Sequence, residues 1–104
     1  MSLSELRRLV IERDRCCVVW LVADRSHICR DRWGEAHPAD DLERLTLEHV
    51  REHAGGRRRD EAGWCVAVCF SANVWTHEAS QYRHDLRAYL AGVRVMEALA
   101  DPNT

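Results

Sequence analysis

The amino-acid sequence predicts an α+β domain in which an N-terminal helix precedes two antiparallel strands and a C-terminal helix. Three observations predict it: apolar residues recur at helical spacing near both ends of the chain, two short central segments have strand-like patterns, and a glycine-containing polar segment separates them. The chain has 104 residues, enough for one domain with a small core, and it contains no repeat or linker. We therefore expect a single domain over residues 1–104.

The first helix is predicted from about Ser4 to Asp14. Ser2-Leu3-Ser4-Glu5 fits a capping box, and leucine and valine then recur every three or four positions. The apolar run Cys17 to Val22 lacks a helical period. The polar segment Ala23 to Asp41 contains a glycine and a proline and is typical of a loop.

Two strands and a long helix are predicted in the second half of the chain. The first strand covers Arg44 to Val50, where apolar and polar residues alternate, and the second covers Trp64 to Val68, an apolar run of strand-favouring residues. The loop between them contains Gly55-Gly56. After Ser71 the apolar residues take helical spacing as far as about Leu99, and Asp101-Pro102 closes this helix.

Composition narrows the possible function classes. The net charge of −2 is unusual for a nucleic-acid enzyme, so any basic surface must be local, and all 15 basic residues are arginine. No run of 18 apolar residues and no signal-peptide pattern is present, so we expect a cytoplasmic protein without membrane contact.

Five cysteines in that compartment are expected to be thiols or metal ligands, with no obligatory disulfide. Because Cys16 and Cys17 are adjacent, they cannot form a redox CxxC pair, which disfavours a redox or zinc-storage protein.

Four residues carry a resemblance to a known family. Glu48 and His49 end the first predicted strand, and Asn73 follows His49 by 24 positions, with His77 four positions later. Residues four apart on a helix share a face, so Asn73 and His77 could hold one ion together. In this pattern the chain resembles the HNH endonucleases, particularly small phage-encoded members, over roughly residues 13–90.

The resemblance implies a ββα-metal finger, with its core at about residues 44–90, that hydrolyses DNA phosphodiester bonds as an endonuclease or nickase. Adjacent strand residues point to opposite sides, which suits a division of labour. His49 would be the general base that activates water, while Glu48, Asn73 and His77 would surround a divalent ion. Magnesium, manganese, nickel and zinc all remain open.

The chain departs from the family pattern at one motif position. A middle asparagine, which braces the loop that carries the base, is replaced by Trp64. Asp60 or Glu61 could orient His49 instead, and Trp64 is expected to pack into the core. A non-catalytic DNA-binding or packaging-assembly module is therefore the alternative function, distinguished by binding that survives removal of the metal.

Many family members also hold a structural zinc ion between two CxxC pairs, of which this chain keeps half of each, Cys17 and Cys69. A rebuilt zinc site could use Cys17, Cys29 and Cys69 with either His27 or Cys65, because zinc needs four nitrogen or sulfur ligands. The alternative is that these cysteines are buried apolar thiols.

Arg57-Arg58-Arg59 is the strongest basic segment, and the resemblance places it near the DNA backbone, with Arg83 and Arg87 as weaker candidates. The family context also suggests a phage terminase as a partner and, for a phage-encoded protein, the host cytoplasm as its location. A domain this small has room for little base readout, so we expect low sequence specificity. The number of strands cut and the oligomeric state stay open.

Overall fold

The computed structural model describes residues 1–101. Within them it contains four α-helices, three short helical turns and one two-stranded antiparallel sheet. The α-helices and strands follow in the order α1 (Leu3–Asp14), α2 (Val18–Val22), β1 (Leu45–His49), β2 (Cys65–Cys69), α3 (Glu78–Gln81) and α4 (Arg83–Ala100). The predicted α+β architecture, with an N-terminal helix, two antiparallel strands and a C-terminal helix, is confirmed.

Helix α1 forms where the sequence predicts it. The Ser2 hydroxyl accepts a hydrogen bond from the Glu5 amide, which satisfies one of the free donors of the first turn. The helix ends at Arg15, whose φ of 59° is left-handed. Leu6 and Val10 lie on its buried face and pack into the core.

The sheet places β2 at the centre of the core. Cys69 pairs with Leu45, and Cys65 pairs with His49 at the other end of the two strands. Every residue of β2 is buried, because helices pack over it and β1 covers its edge. The Asp14 carboxylate joins these elements: it accepts hydrogen bonds from the Ala67 amide at 2.9 Å and from the Tyr89 hydroxyl of α4 at 2.6 Å.

Two local predictions are wrong. The run Cys17 to Val22, expected to lack helix, contains α2, whose Val18 and Val19 are buried. The helix expected to continue without a break after Ser71 is interrupted, because His77 adopts a left-handed φ of 53° between a wide π-type turn (Ser71–Trp75) and α3. A second break at Tyr82 separates α3 from α4.

These breaks affect the predicted ligand pair. Asn73 lies in the π-type turn and His77 lies at the left-handed position beyond it, so the two do not share an α-helical face. Helix α4 ends at Ala100 with Asp101 as its C-cap, and the predicted Pro102 stop lies outside the described residues. Among the helices of residues 1–101, none is long and apolar enough to cross a membrane.

Candidate metal centre and candidate active site

Three cysteines and one histidine come together behind the sheet. Cys17 precedes α2, His27 and Cys29 lie in the following loop, and Cys69 ends β2. One ligand atom from each lies within 4.8 Å of all the others, and all four residues are buried. A zinc tetrahedron with bonds of about 2.3 Å separates its sulfur atoms by roughly 3.8 Å, so this arrangement could hold a metal ion such as zinc.

Neighbouring groups orient the ligand atoms. The His27 Nε2 lies 3.1 Å from the Cys69 Sγ, while its Nδ1 lies 2.8 Å from a carboxylate oxygen of Glu78. The Cys69 amide donates to the Cys17 Sγ at 3.3 Å, and the Ser71 hydroxyl lies 3.4 Å from the Cys69 Sγ. A histidine ligand in a metal site commonly donates its second ring nitrogen to a carboxylate, as Glu78 permits here.

The cluster has an uneven charge distribution. Hydrogen bonds with the Cys17 and Cys29 thiols, and then with His27, hold the pKa of Cys69 far below its usual range despite burial. The hydrogen bond to Cys69 raises the pKa of His27, and Glu78 raises it further. The two effects together outweigh burial, which lowers it. Hydrogen bonds to Cys17 and Cys69, together with burial, raise the pKa of Cys29. Lowering the pKa of one buried thiol in this way favours a bound cation in the cluster.

The sequence left His27 and Cys65 as alternatives for the fourth ligand. His27 joins Cys17, Cys29 and Cys69, whereas Cys65 lies at the opposite end of β2. The Cys65 thiol donates to the Arg59 carbonyl at 3.6 Å, and burial raises its pKa to about 11. Glu78 was not predicted from the sequence, because no spacing links it to His27.

A second feature lies at the other end of β1, where an open cavity of about 590 Å³ borders α1, β1 and the π-type turn. The His49 Nε2 lies 2.7 Å from an Asp60 carboxylate oxygen, and the His49 side chain is 15% exposed. The bond to His49 lowers the pKa of Asp60, with help from Arg58. Of the two residues expected to orient His49, Asp60 makes the contact. The cavity is lined by Leu3, Ser4, Arg7, Leu47, Glu48, His49, Arg51, Arg58 and Asn73.

Glu48 and Asn73 also line this cavity, so the structure brings three of the four predicted site residues together. Burial raises the pKa of Glu48, although the charge of Arg83 opposes the shift. The Asn73 Nδ2 donates to the Thr46 hydroxyl at 3.0 Å and to the Leu47 carbonyl at 3.3 Å. Because both bonds use the amide nitrogen, the Asn73 Oδ1 is the atom left for an ion.

His77 is the fourth predicted residue, and the structure does not bring it to this cavity. It is exposed and does not line the cavity wall. Its left-handed backbone turns the chain between the π-type turn and α3. The role predicted for His77 as a ligand stays a prediction.

Two arginines of the predicted basic segment contact acidic side chains of the chain itself. Arg58 lines the cavity and lies 3.4 Å from Asp60. Arg59 lies 3.3 Å from Glu52 and stacks over Trp64 at 4.9 Å from the ring centroid. DNA contact by Arg57, Arg58 and Arg59 stays a prediction.

Trp64, at the middle motif position, is half-buried rather than enclosed in the core. Arg94 from α4 stacks over the same ring as Arg59, at 3.9 Å from the centroid. The Trp64 carbonyl accepts a hydrogen bond from the amide of Val50, the residue directly after His49. Trp64 therefore steadies the end of β1 through its backbone, while its ring anchors α4.

Comparison with protein-family models, with curated proteins and with solved structures gives no match for this chain. The resemblance to HNH endonucleases therefore rests on the residues of this chain alone.

Proposed function

We propose that this protein hydrolyses DNA phosphodiester bonds with a metal-dependent ββα site, and that zinc in the Cys17, His27, Cys29 and Cys69 cluster holds the fold in shape. One observation carries the proposal: His49 is hydrogen-bonded to Asp60 at 2.7 Å in the same cavity that Glu48 and Asn73 line. A general base needs both a partner that fixes its ring and access to the substrate. The pair of His49 and Asp60 meets both conditions.

The base acts through the nitrogen that Asp60 leaves free. With its Nε2–H donated to Asp60, His49 keeps a lone pair on Nδ1, which makes no hydrogen bond with the described residues. The lone pair of this nitrogen can take a proton from water. The water oxygen forms a bond to phosphorus, and the bond to the 3′ oxygen breaks. That oxygen then takes a proton from solvent.

Glu48 and Asn73 are the residues that would hold a divalent ion. One carboxylate and one amide oxygen suit a hard cation that keeps part of its water shell, such as magnesium or manganese. The ion would supply stabilisation of negative charge on the phosphate oxygens. Burial disfavours the charged form of Glu48, so a cation beside it is a favourable partner.

Positive side chains around the cavity suit an anionic substrate. Arg7, Arg51 and Arg58 line it together with His49. Local arginines can bind phosphates even though the whole chain carries a net charge of −2. The proposal therefore needs no basic surface beyond this cavity.

The test is cleavage of supercoiled plasmid by the zinc-loaded protein with magnesium, manganese, nickel or no added ion. We expect ion-dependent nicking or linearisation by the wild type and at least a hundredfold slower cutting by His49→Ala. His84→Ala is the matched control, because His84 is exposed on α4. Circular dichroism and zinc content of each variant separate lost chemistry from lost fold. Equal cutting by His49→Ala and the wild type would refute the assigned mechanism.

A second candidate is a non-catalytic DNA-binding or assembly module that keeps the ββα fold. The position of His77 favours it, because the metal shell predicted from the sequence lacks this ligand in the cavity. DNA binding that persists without added divalent ion, together with no cleavage under any ion, is the result that selects it. Interaction with a phage terminase belongs to this candidate and stays a prediction.

A further inference from the structure

One exposed surface lies beside the candidate active site, and none of its own residues has been given a role above. The aromatic surface, as we name it, consists of Trp33, Phe70, Trp75 and Arg32. Trp33 is 78% exposed and Trp75 is 47% exposed. Exposed tryptophans cost solvation free energy, so a cluster of them beside a charged side chain indicates a binding surface.

The loop that carries Trp33 is held in one conformation. The buried Asp31 carboxylate accepts hydrogen bonds from the Trp33 amide at 2.9 Å and from the Glu35 amide at 3.0 Å. The Arg30 carbonyl accepts from the Ser71 amide at 3.1 Å, which ties the loop to the end of β2. Trp33 is thus presented on a fixed support and need not be ordered on binding.

The three rings and one guanidinium form a connected cluster. Phe70 and Trp75 meet edge to face at 5.2 Å between ring centroids. The Arg32 guanidinium lies 5.6 Å from the Trp33 centroid and 5.9 Å from the Phe70 centroid, so it bridges the two rings. Arg32 makes no ion pair with the described residues, so its charge can meet a phosphate.

The aromatic surface continues into the candidate active site. Trp33, Phe70 and Arg32 line a cavity of about 390 Å³ whose wall includes Arg7. Arg7 also lines the 590 Å³ cavity of His49 and is fixed by its hydrogen bond to the Leu45 carbonyl at 2.6 Å. A strand bound along these residues would pass from the exposed rings towards the base.

We propose that the aromatic surface binds single-stranded nucleic acid, with bases stacked on Trp33 and Trp75 and phosphates on Arg32 and Arg7. Exposed ring faces interleaved with arginines are the recognition chemistry of unpaired bases, because paired bases hide their faces inside the helix. If the protein is the nuclease proposed above, single-stranded nucleic acid is the substrate that it cuts, and this part of the inference rests on the proposed function. Binding of a single strand to the aromatic surface does not depend on cleavage.

The experiment measures the fluorescence anisotropy of a labelled 12-nucleotide oligothymidylate with the zinc-loaded His49→Ala protein, which leaves the strand uncut. Adding Trp33→Ala should weaken binding roughly tenfold, the usual range for one lost stacking contact. Leu99→Ala is the matched control, because Leu99 is 77% exposed at the far end of α4, and it should bind unchanged. Oligouridylate and a duplex of equal length form the other arms.

Arg32→Gln gives a second readout that does not depend on the tryptophan. For the single strand, this substitution should make the plot of log affinity against log salt concentration less steep, by about the amount that one phosphate contact contributes. An unchanged single-strand affinity in Trp33→Ala would overturn the proposal and leave a protein partner as the occupant of the surface. An equal loss for duplex would overturn it too, because stacking on open bases would not be the cause.

The two proposals fail separately. A protein that binds single strands through Trp33 but cuts no nucleic acid refutes the nuclease and keeps the aromatic surface. A protein that cuts equally well with and without Trp33 keeps the nuclease and refutes this surface as its substrate site.

Discussion

The metal centre is tested most directly by replacing one of two buried cysteines with serine. Cys29 is 2% exposed and contributes a sulfur atom to the cluster, whereas Cys65 is fully buried in the same core but lies outside it. The two substitutions, Cys29→Ser and Cys65→Ser, make the same chemical change at similar burial. Any difference between them therefore reports the metal rather than the loss of a sulfur atom.

The two variants are expected to lose clearly different amounts of unfolding free energy. Each buried hydroxyl costs about 1–3 kcal/mol of unfolding free energy where its hydrogen bonding is incomplete. Structural zinc contributes roughly 10–16 kcal/mol in small metal-bound domains, so losing one of four ligands removes on the order of 2.5–4 kcal/mol more. Because 1 kcal/mol shifts the melting temperature of a domain this size by about 4–8 °C, Cys29→Ser should melt at least about 15 °C below the wild type.

The assay combines zinc content with thermal unfolding. Purified wild type and Cys65→Ser should carry one zinc ion per chain, and Cys29→Ser should carry little after mild chelation. Added zinc should raise the melting temperature of the depleted wild type and not that of Cys29→Ser. If Cys29→Ser keeps its zinc, or if Cys65→Ser loses it, the assignment of these four ligands is wrong.

Three further predictions address the active site and the core. Asp60→Asn should slow plasmid cutting by about 10²-fold, because the proposed base His49 loses its charged partner, while Glu61→Gln should leave the rate unchanged. Asn73→Ala should weaken activation by magnesium or manganese more than His77→Ala does, and the reverse order in ion titrations would restore His77 as the main ligand. Burial and a hydrogen bond to a buried carboxylate raise the pKa of Tyr89, so its neutral form stabilises the fold below about pH 10 and this contribution is lost as pH rises further. Denaturant unfolding between pH 8 and 11 should show a shallower alkaline loss in Tyr89→Phe, and equal slopes would contradict this reasoning.

The elements that the sequence predicts correctly are those with strong local signals. Helix α1 has its own cap at Ser2, and the two strands follow alternating or strand-favouring residues. Helix α2 has only five residues, all apolar, so no amphipathic period can reveal it. The break at His77 depends on a left-handed backbone that a non-glycine residue adopts under tertiary constraint, which local pattern does not encode.

The candidate sites divide in the same way. Glu48 and His49 are adjacent in a predicted strand, so their common position at one sheet end follows from the sequence. The choice of His27 over Cys65 depends instead on the course of the loop from Ala23 to Asp41, which is set by contacts within the loop and with the chain before it. The hydrogen bond from the His37 amide to the Cys29 carbonyl at 3.0 Å and that from the Cys17 amide to the Ala39 carbonyl at 2.8 Å are two of them.

The strand register separates the two sites and determines how one can affect the other. Cys69 and His49 lie at opposite ends of a five-residue ladder, about 14 Å apart along the strands. The segment that links β2 to α3 is held at both ends by the cluster, through Cys69 itself and through Glu78, which bonds His27. Asn73 lies within this segment, whereas the contact between His49 and Asp60 uses none of it. Loss of the cluster metal should therefore loosen Asn73, the proposed ion ligand, and leave His49, the proposed base, oriented by Asp60. A zinc-depleted protein that is still folded should then lose its activation by magnesium before the contact between His49 and Asp60 is lost.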